Sequence, residues 1–300
     1  MNRYRSNLDY AIGMLSNAPI GLVPLNWRYS KDSLDSYLEG IAGYGFKGIQ
    51  ISEEQGNDPT FIAKAKSLAI RNAEHYIAIR CTPEGVIDGH LDEYLGQVEF
   101  AARHGVEMLV LAVDGSLDRE KIAGRVTSSD AMSDKGFNEL AKVLNQIAEA
   151  ANKHNVSSSF HPHAATYIET PEETRQLLSM TDQELVKVCL DVGHWIVGGG
   201  DPLEAVREYV NRITHVHVKD VSGDVLSKML NGGYEIMDKA VVQDKLFVPA
   251  GTGILDLTGF LSALEAINFQ GWLMSEQDSA YEPSEAASGI SMANIKKVLN

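Results

Sequence analysis

The chain has only two cysteines in 300 residues, Cys81 and Cys189, far apart and in no metal-binding or redox spacing. That scarcity excludes a disulfide framework and fits a reducing compartment. It also lacks any run of lysine or arginine. Its 26 basic residues stand against 41 acidic ones, a net charge of −15. A uniformly negative protein repels phosphate backbones and anionic bilayers, which argues against nucleic-acid and membrane partners. No stretch reaches the roughly 20 consecutive apolar residues of a membrane span. Arg3 and Arg5 ahead of the uncharged stretch 11–25 loosely imitate a signal peptide. Gly13, Asn17, Pro19, Gly21 and Pro24 break that stretch, so a short lead-in and a buried strand are expected instead, with the cytoplasm as the expected location.

What is present is a repeated alternation of short apolar runs with longer amphipathic ones. Strands are expected at 20–24, 48–52, 76–81, 108–113, 156–163, 186–191, 213–219 and 272–276. Their Val, Ile and Leu content marks strands buried on both faces of a parallel sheet. Helices are expected at 32–42, 61–73, 91–103, 138–154 and 283–299. Start signals stand at Asp58-Pro59, at Thr170-Pro171-Glu172-Glu173 and at Asp201-Pro202-Leu203-Glu204. About eight strand–helix units, with no linker and no change of composition, predict a soluble single-domain (β/α)8 barrel over residues 1–300. One irregular segment, 221–246, is long enough for a loop or lid over the site at the strand ends. Gly198-Gly199-Gly200 and Gly251-Thr252-Gly253 lack the strand-turn-helix fingerprint of a nucleotide site and read as tight turns.

The polar residues able to do chemistry fall where strands end. In I-T-H-V-H-V-K-D, His215, His217 and Lys219 are spaced by two and share one strand face, while Val216 and Val218 take the other. Three such groups facing a barrel interior are costly unless a ligand or partner satisfies them. Asp191 ends the sixth strand, with His194 just beyond it. Glu276 ends the eighth, followed by Gln277 and Asp278. On the fifth, His161 and His163 again stand at spacing two. Glu169 precedes a helix cap and reads as an exposed loop residue. In a closed barrel, adjacent strand tips come within reach of one ion, and mixed carboxylate and imidazole donors suit Mn, Co, Fe or Zn.

These residues lie in P-I-G-L-V-P-L-N-W, F-H-P-H-A-A-T-Y-I-E-T-P-E-E, C-L-D-V-G-H-W with G-G-D-P-L, H-V-H-V-K-D-V, F-V-P-A-G-T-G-I-L-D and G-W-L-M-S-E-Q-D. On them the sequence resembles the xylose-isomerase-like sugar isomerase/epimerase superfamily and, within it, the inosose dehydratase family, over nearly the whole chain. The resemblance implies a xylose-isomerase-like TIM barrel with one divalent metal, Mn or Co first, with Zn, Fe and Mg open. It places the metal on Asp191, His217 and Glu276, and on His161 where sugar epimerases have a glutamate. It implies a metal-dependent hydro-lyase that removes water from 2-keto-myo-inositol (scyllo-inosose), a small cyclic polyol ketone, in inositol catabolism.

In that chemistry a proton leaves the carbon beside the ketone and hydroxide leaves the next carbon, so one group accepts a proton and another gives one. His163, His194 and Lys219 are the candidates, with Glu276 able to ligate and also act as base. Lys219 could instead hold an enolate oxygen, or pair with Asp220. Asn26, Trp27, His163 and Lys219 would contact the substrate, with core packing as the other reading of Trp27. The second strand departs from the relatives' pattern: Gln50 stands where a glutamate is common, with Glu53 and Glu54 downstream.

The main alternative is a metal-dependent ketose isomerase or 3-epimerase on the same barrel. Such epimerases use two opposed glutamates as acid and base, and His161 in place of one of them argues against it. A non-catalytic sugar-binding protein is disfavoured by the intact Asp191, His217 and Glu276 set. A multi-zinc DNA-repair endonuclease is disfavoured by the −15 charge. Homo-oligomer formation stays open, since no apolar stripe marks an interface.

Overall fold

The structure, a computed structural model, describes residues 15–25, 27, 30–281 and 283–300. Eight parallel strands hydrogen-bond in sequence order and close on themselves. They are β1 (Ile20–Val23), β2 (Gly48–Gln50), β3 (Arg71–Ile79), β4 (Met108–Val113), β5 (Ser157–Phe160), β6 (Val186–Asp191), β7 (Ile213–Val218) and β8 (Trp272–Glu276). Outside them run α1 (Leu34–Tyr44), α2 (Pro59–Ser67), α3 (Leu91–Arg103), α4 (Asp134–Lys153), α5 (Pro171–Ser179), α6 (Pro202–Glu208), α7 (Leu257–Ala266) and α8 (Ser284–Leu299), one after each strand. This is the (β/α)8 architecture that the alternation predicts. Among the described residues no helix is long and apolar enough to cross a membrane.

The capping chemistry works as read. Thr170 and Glu173 form a reciprocal capping box at α5, and Asp58 and Asp201 accept from the backbone ahead of α2 and α6, each with proline in the first turn. In α4, Phe137, Leu140, Leu144, Ile147 and Ala151 are buried at helical spacing, which seats that face on the barrel.

The barrel interior is filled by alternating large and small side chains. A Cβ on Gly48 would lie 2.5 Å from the Trp272 ring, and one on Gly21 2.3 Å from Met274 Sδ. Trp272 and Met274 therefore occupy the space those glycines leave open, and Val23 and Ala73 pack with them. Along β8 the inward residues are Trp272, Met274 and then Glu276, so the floor is apolar and the rim is charged.

Three expectations need correction. The helix expected at 61–73 stops at Ser67, and β3 begins at Arg71 rather than residue 76. The polar start of β3 hides a strand, and its pairing with β2 slips by one residue so that Gln50 stands opposite Glu74. A slip of this kind re-aims the side chains that follow it. Second, segment 221–246 is not irregular but holds helices Gly223–Leu230 and Met237–Asp244. Their apolar residues Leu226, Met229, Met237, Ala240 and Val241 pack with Ala123, Ala164, Val197 and Phe247, beside the C-terminal strand ends. Third, Asp220 does not pair with Lys219. Its carboxylate accepts backbone N–H groups from Val221, Gly251, Gly253 and Leu255, pinning the 251–255 turn. A Cβ on Gly253 would sit 2.4 Å from that carboxylate, so the glycine is required there.

Candidate metal centre and active site

Register brings the polar strand ends together. Asp191 on β6 stands opposite His217 on β7, which stands opposite Met274 on β8, and Glu276 lies two residues further along the same face. His161 follows directly on β5. Donor atoms of His161, Asp191, His217 and Glu276 all lie within 4.8 Å of one another, and all four residues are buried. His217 Nδ1 is 2.8 Å from Glu276 Oε2 and 3.6 Å from Asp191 Oδ2, and His161 Nε2 is 3.5 Å from Asp191 Oδ2.

Three of these atoms, His217 Nδ1, Asp191 Oδ2 and Glu276 Oε2, meet no well-formed hydrogen bond among the described residues. The two carboxylate oxygens are ion-paired to Lys219, and it is the convergence of these donors on one buried point that suits a shared cation. Two carboxylates and two imidazoles are a competent donor set for Mn, Co, Fe or Zn. The charge balance agrees. Asp191, Glu276 and Asp278 crowd a single ammonium, Lys219, at 3.1, 3.0 and 2.6 Å.

That crowding sets the protonation states. Burial disfavours the Lys219 charge, but Asp191, Asp278 and Glu276 outweigh burial and hold it protonated. Burial likewise opposes ionisation of Asp191 and Glu276, and Lys219 overrides it, keeping both below the usual carboxylate range. Asp278 goes the other way, up to about 6, because burial and its acidic neighbours outweigh the lysine.

Beside this pocket, the His163 and His194 rings stack at 3.6 Å between centroids. Burial first, then neighbouring charge, pushes His163 down to about 3 and His194 well below its ordinary value, so both are neutral at pH 7. His163 Nδ1 lies 2.6 Å from the Ala164 carbonyl. A carbonyl only accepts, so Nδ1 carries the proton and Nε2 the lone pair. His163 is also partly exposed, unlike His161 and His194.

Other expected residues lie elsewhere. The Trp27 indole donates to Ser288 and meets Tyr37 and Tyr44 edge-on, which is core packing. Asn26 lies outside the described residues. Glu169 is not an exposed loop residue: it is buried, and its two oxygens accept from Gly124 and Ala165 backbone N–H groups at 2.7 and 2.6 Å. Two participants have no role in the sequence expectations, although Asp278 stands there among the polar residues at the end of the eighth strand. Asp278 is a direct partner of Lys219, and Glu74 on β3 is bonded to His215 and His217. Adjacency to Glu276 signals the first; the slipped register of β3 masks the second.

The family model for the xylose isomerase-like TIM barrel matches residues 38–298. The chain belongs to that family. Among its relatives are an inosose dehydratase of Clostridium botulinum (strain Alaska E43 / Type E3), 27% identical over 89% of this chain and 91% of its own length, and an inosose dehydratase of Geobacillus kaustophilus, 26% identical over 87% and 88%. The fold is shared with the E. coli 3-keto-D-glucoside 4-epimerase (TM-score 0.70, 17% identity, 94% of this chain and 100% of that one). It is also shared with a probable 3-DHS dehydratase of Bacillus anthracis (TM-score 0.69, 17% identity, 94% and 99%). A third such structure, an IOLI protein with a bound zinc atom, has a TM-score of 0.66 at 18% identity over 94% and 96%.

Proposed function

We propose that this chain is a metal-dependent hydro-lyase that dehydrates 2-keto-myo-inositol or a closely similar cyclic polyol ketone. Similarity to inosose dehydratases along most of the chain supports the substrate class. The observation that carries the reaction type is the make-up of the acid–base groups. Next to the donor pocket stand two neutral imidazoles, His163 and His194, and the pocket itself includes His161, where the family resemblance implies a glutamate in sugar epimerases.

In this reading His161, Asp191, His217 and Glu276 hold one divalent cation, with Mn or Co expected first and Zn, Fe or Mg also compatible. When bound, that cation supplies a positive charge that polarises a ketone oxygen and favours removal of the adjacent proton. His163 accepts the carbon-bound proton at Nε2, the nitrogen left free by its bond to the Ala164 carbonyl. Lys219, fixed by three carboxylates, presents a permanent positive charge toward developing negative charge on oxygen. Holding the proton it accepted, His163 is the acid of the pair and returns it to the departing hydroxyl, which leaves as water, with neutral His194 stacked against its ring. The buried walls limit competing water.

The test is turnover of 2-keto-myo-inositol by chelator-treated protein, following the dione by absorbance with and without added Mn or Co. Product that requires the metal and disappears in His217→Ala supports the reading. Absence of product under every metal overturns it.

A further inference from the structure

Below the donor pocket lies a second buried polar layer that the proposed reaction does not use. Glu74 Oε2 is 3.0 Å from His217 Nε2, and His215 Nε2 bonds the same oxygen. All three side chains are sealed from solvent. An ionised carboxylate only accepts, so each imidazole places its N–H on Nε2. When a cation takes the place of a proton at Nδ1, a ring that keeps its proton on Nε2 turns its Nδ1 lone pair to that cation. For His217, Nδ1 is the atom that faces Glu276 and Asp191.

We infer that Glu74 is a positioning residue that fixes the tautomer and ring orientation of His217, directing its Nδ1 lone pair into the metal pocket. The inference rests on the metal-centre reading above. Glu74 reaches this position because the register of β3 slips at Ala73, turning residue 74 into the barrel. His215 holds the carboxylate in place by sharing its Oε2, since Glu74 Oε1 has no hydrogen-bond partner among the described residues. Metal-bound histidines are generally oriented through the other ring nitrogen, and losing that partner weakens metal binding roughly 10- to 100-fold.

Zinc alone serves as the probe. In wild-type protein loaded with Zn2+, long-range 15N–1H correlation spectra will find the His217 proton on Nε2. A proton on Nδ1 overturns the inference without any variant. Competition against a fluorescent chelator will find Zn2+ affinity reduced roughly 10- to 100-fold in Glu74→Leu. Glu74→Gln, which keeps a neutral acceptor, will recover part of that loss. Wild-type affinity in both variants removes the role of Glu74 alone, whereas a wild-type protein that binds no Zn2+ removes the metal centre itself. Cys189 also has its sulfur near His215 and His217. Two ions per chain, one of them lost in Cys189→Ser, would make this layer a second metal site and overturn the positioning role.

Discussion

His163 and His194 face each other with ring centroids 3.6 Å apart and planes inclined by 32°. Two imidazoles stacked so closely cannot both be charged at low cost, and burial adds to the penalty. The pair therefore stays neutral at physiological pH and can exchange protons with a bound ketone.

His163→Asn keeps the size of the side chain but removes the basic nitrogen. We expect kcat to fall by roughly 10²- to 10⁴-fold. Metal affinity, read by chelator competition, should stay near the wild-type value. Loss of the metal together with activity would assign ligation to His163 instead of His161.

Among the described residues, Lys219 is the sole ammonium beside Asp191, Glu276 and Asp278. Lys219→Met leaves those carboxylates buried and facing one another. Breaking a buried ion pair from one side costs about 3–5 kcal/mol, and we expect a loss of that order in urea unfolding of metal-free protein. Added Mn or Co should restore part of it, because a ligand bound only to the native state stabilises that state. An unchanged midpoint would mean that the acidic groups are solvated or protonated without the lysine.

How much of this was legible beforehand depends on local periodicity. The alternation His215, Val216, His217, Val218, Lys219 is regular, and the structure turns its polar members inward as the spacing requires. Asp191 and Glu276 were legible because each ends a plain apolar run. Glu74 was not. It follows Arg71-Asn72-Ala73 in a strand that starts polar and slips register, so neither composition nor period marks it. Helices Gly223–Leu230 and Met237–Asp244 were missed because each is short and flanked by glycine or polar residues. Helices that short owe their stability mainly to tertiary packing, which a local pattern does not carry. Glu169 reads as exposed from its neighbours, yet the backbone N–H groups of nearby Ala165 and of Gly124, distant in sequence, satisfy it inside.

Glu169 gives a pH dependence separate from the metal pocket. Burial, against the two backbone donors and Arg119, raises its carboxyl to about 7 from an ordinary 4.5. Between those values the folded protein binds more protons than the unfolded chain, so stability falls as pH rises from about 4.5 to about 7 and levels off above. Each unit of difference is worth about 1.4 kcal/mol. Glu169→Gln should flatten that slope. Urea midpoints measured across this range for both proteins check it, and parallel slopes would contradict it.

The most direct test of the central claim is the mass of the product formed from 2-keto-myo-inositol by metal-loaded protein. The account predicts a product lighter than the substrate by one water, formed only with the metal and absent in His217→Ala. A product of unchanged mass with an inverted or shifted hydroxyl would contradict the dehydratase and leave the same barrel carrying an isomerase or epimerase.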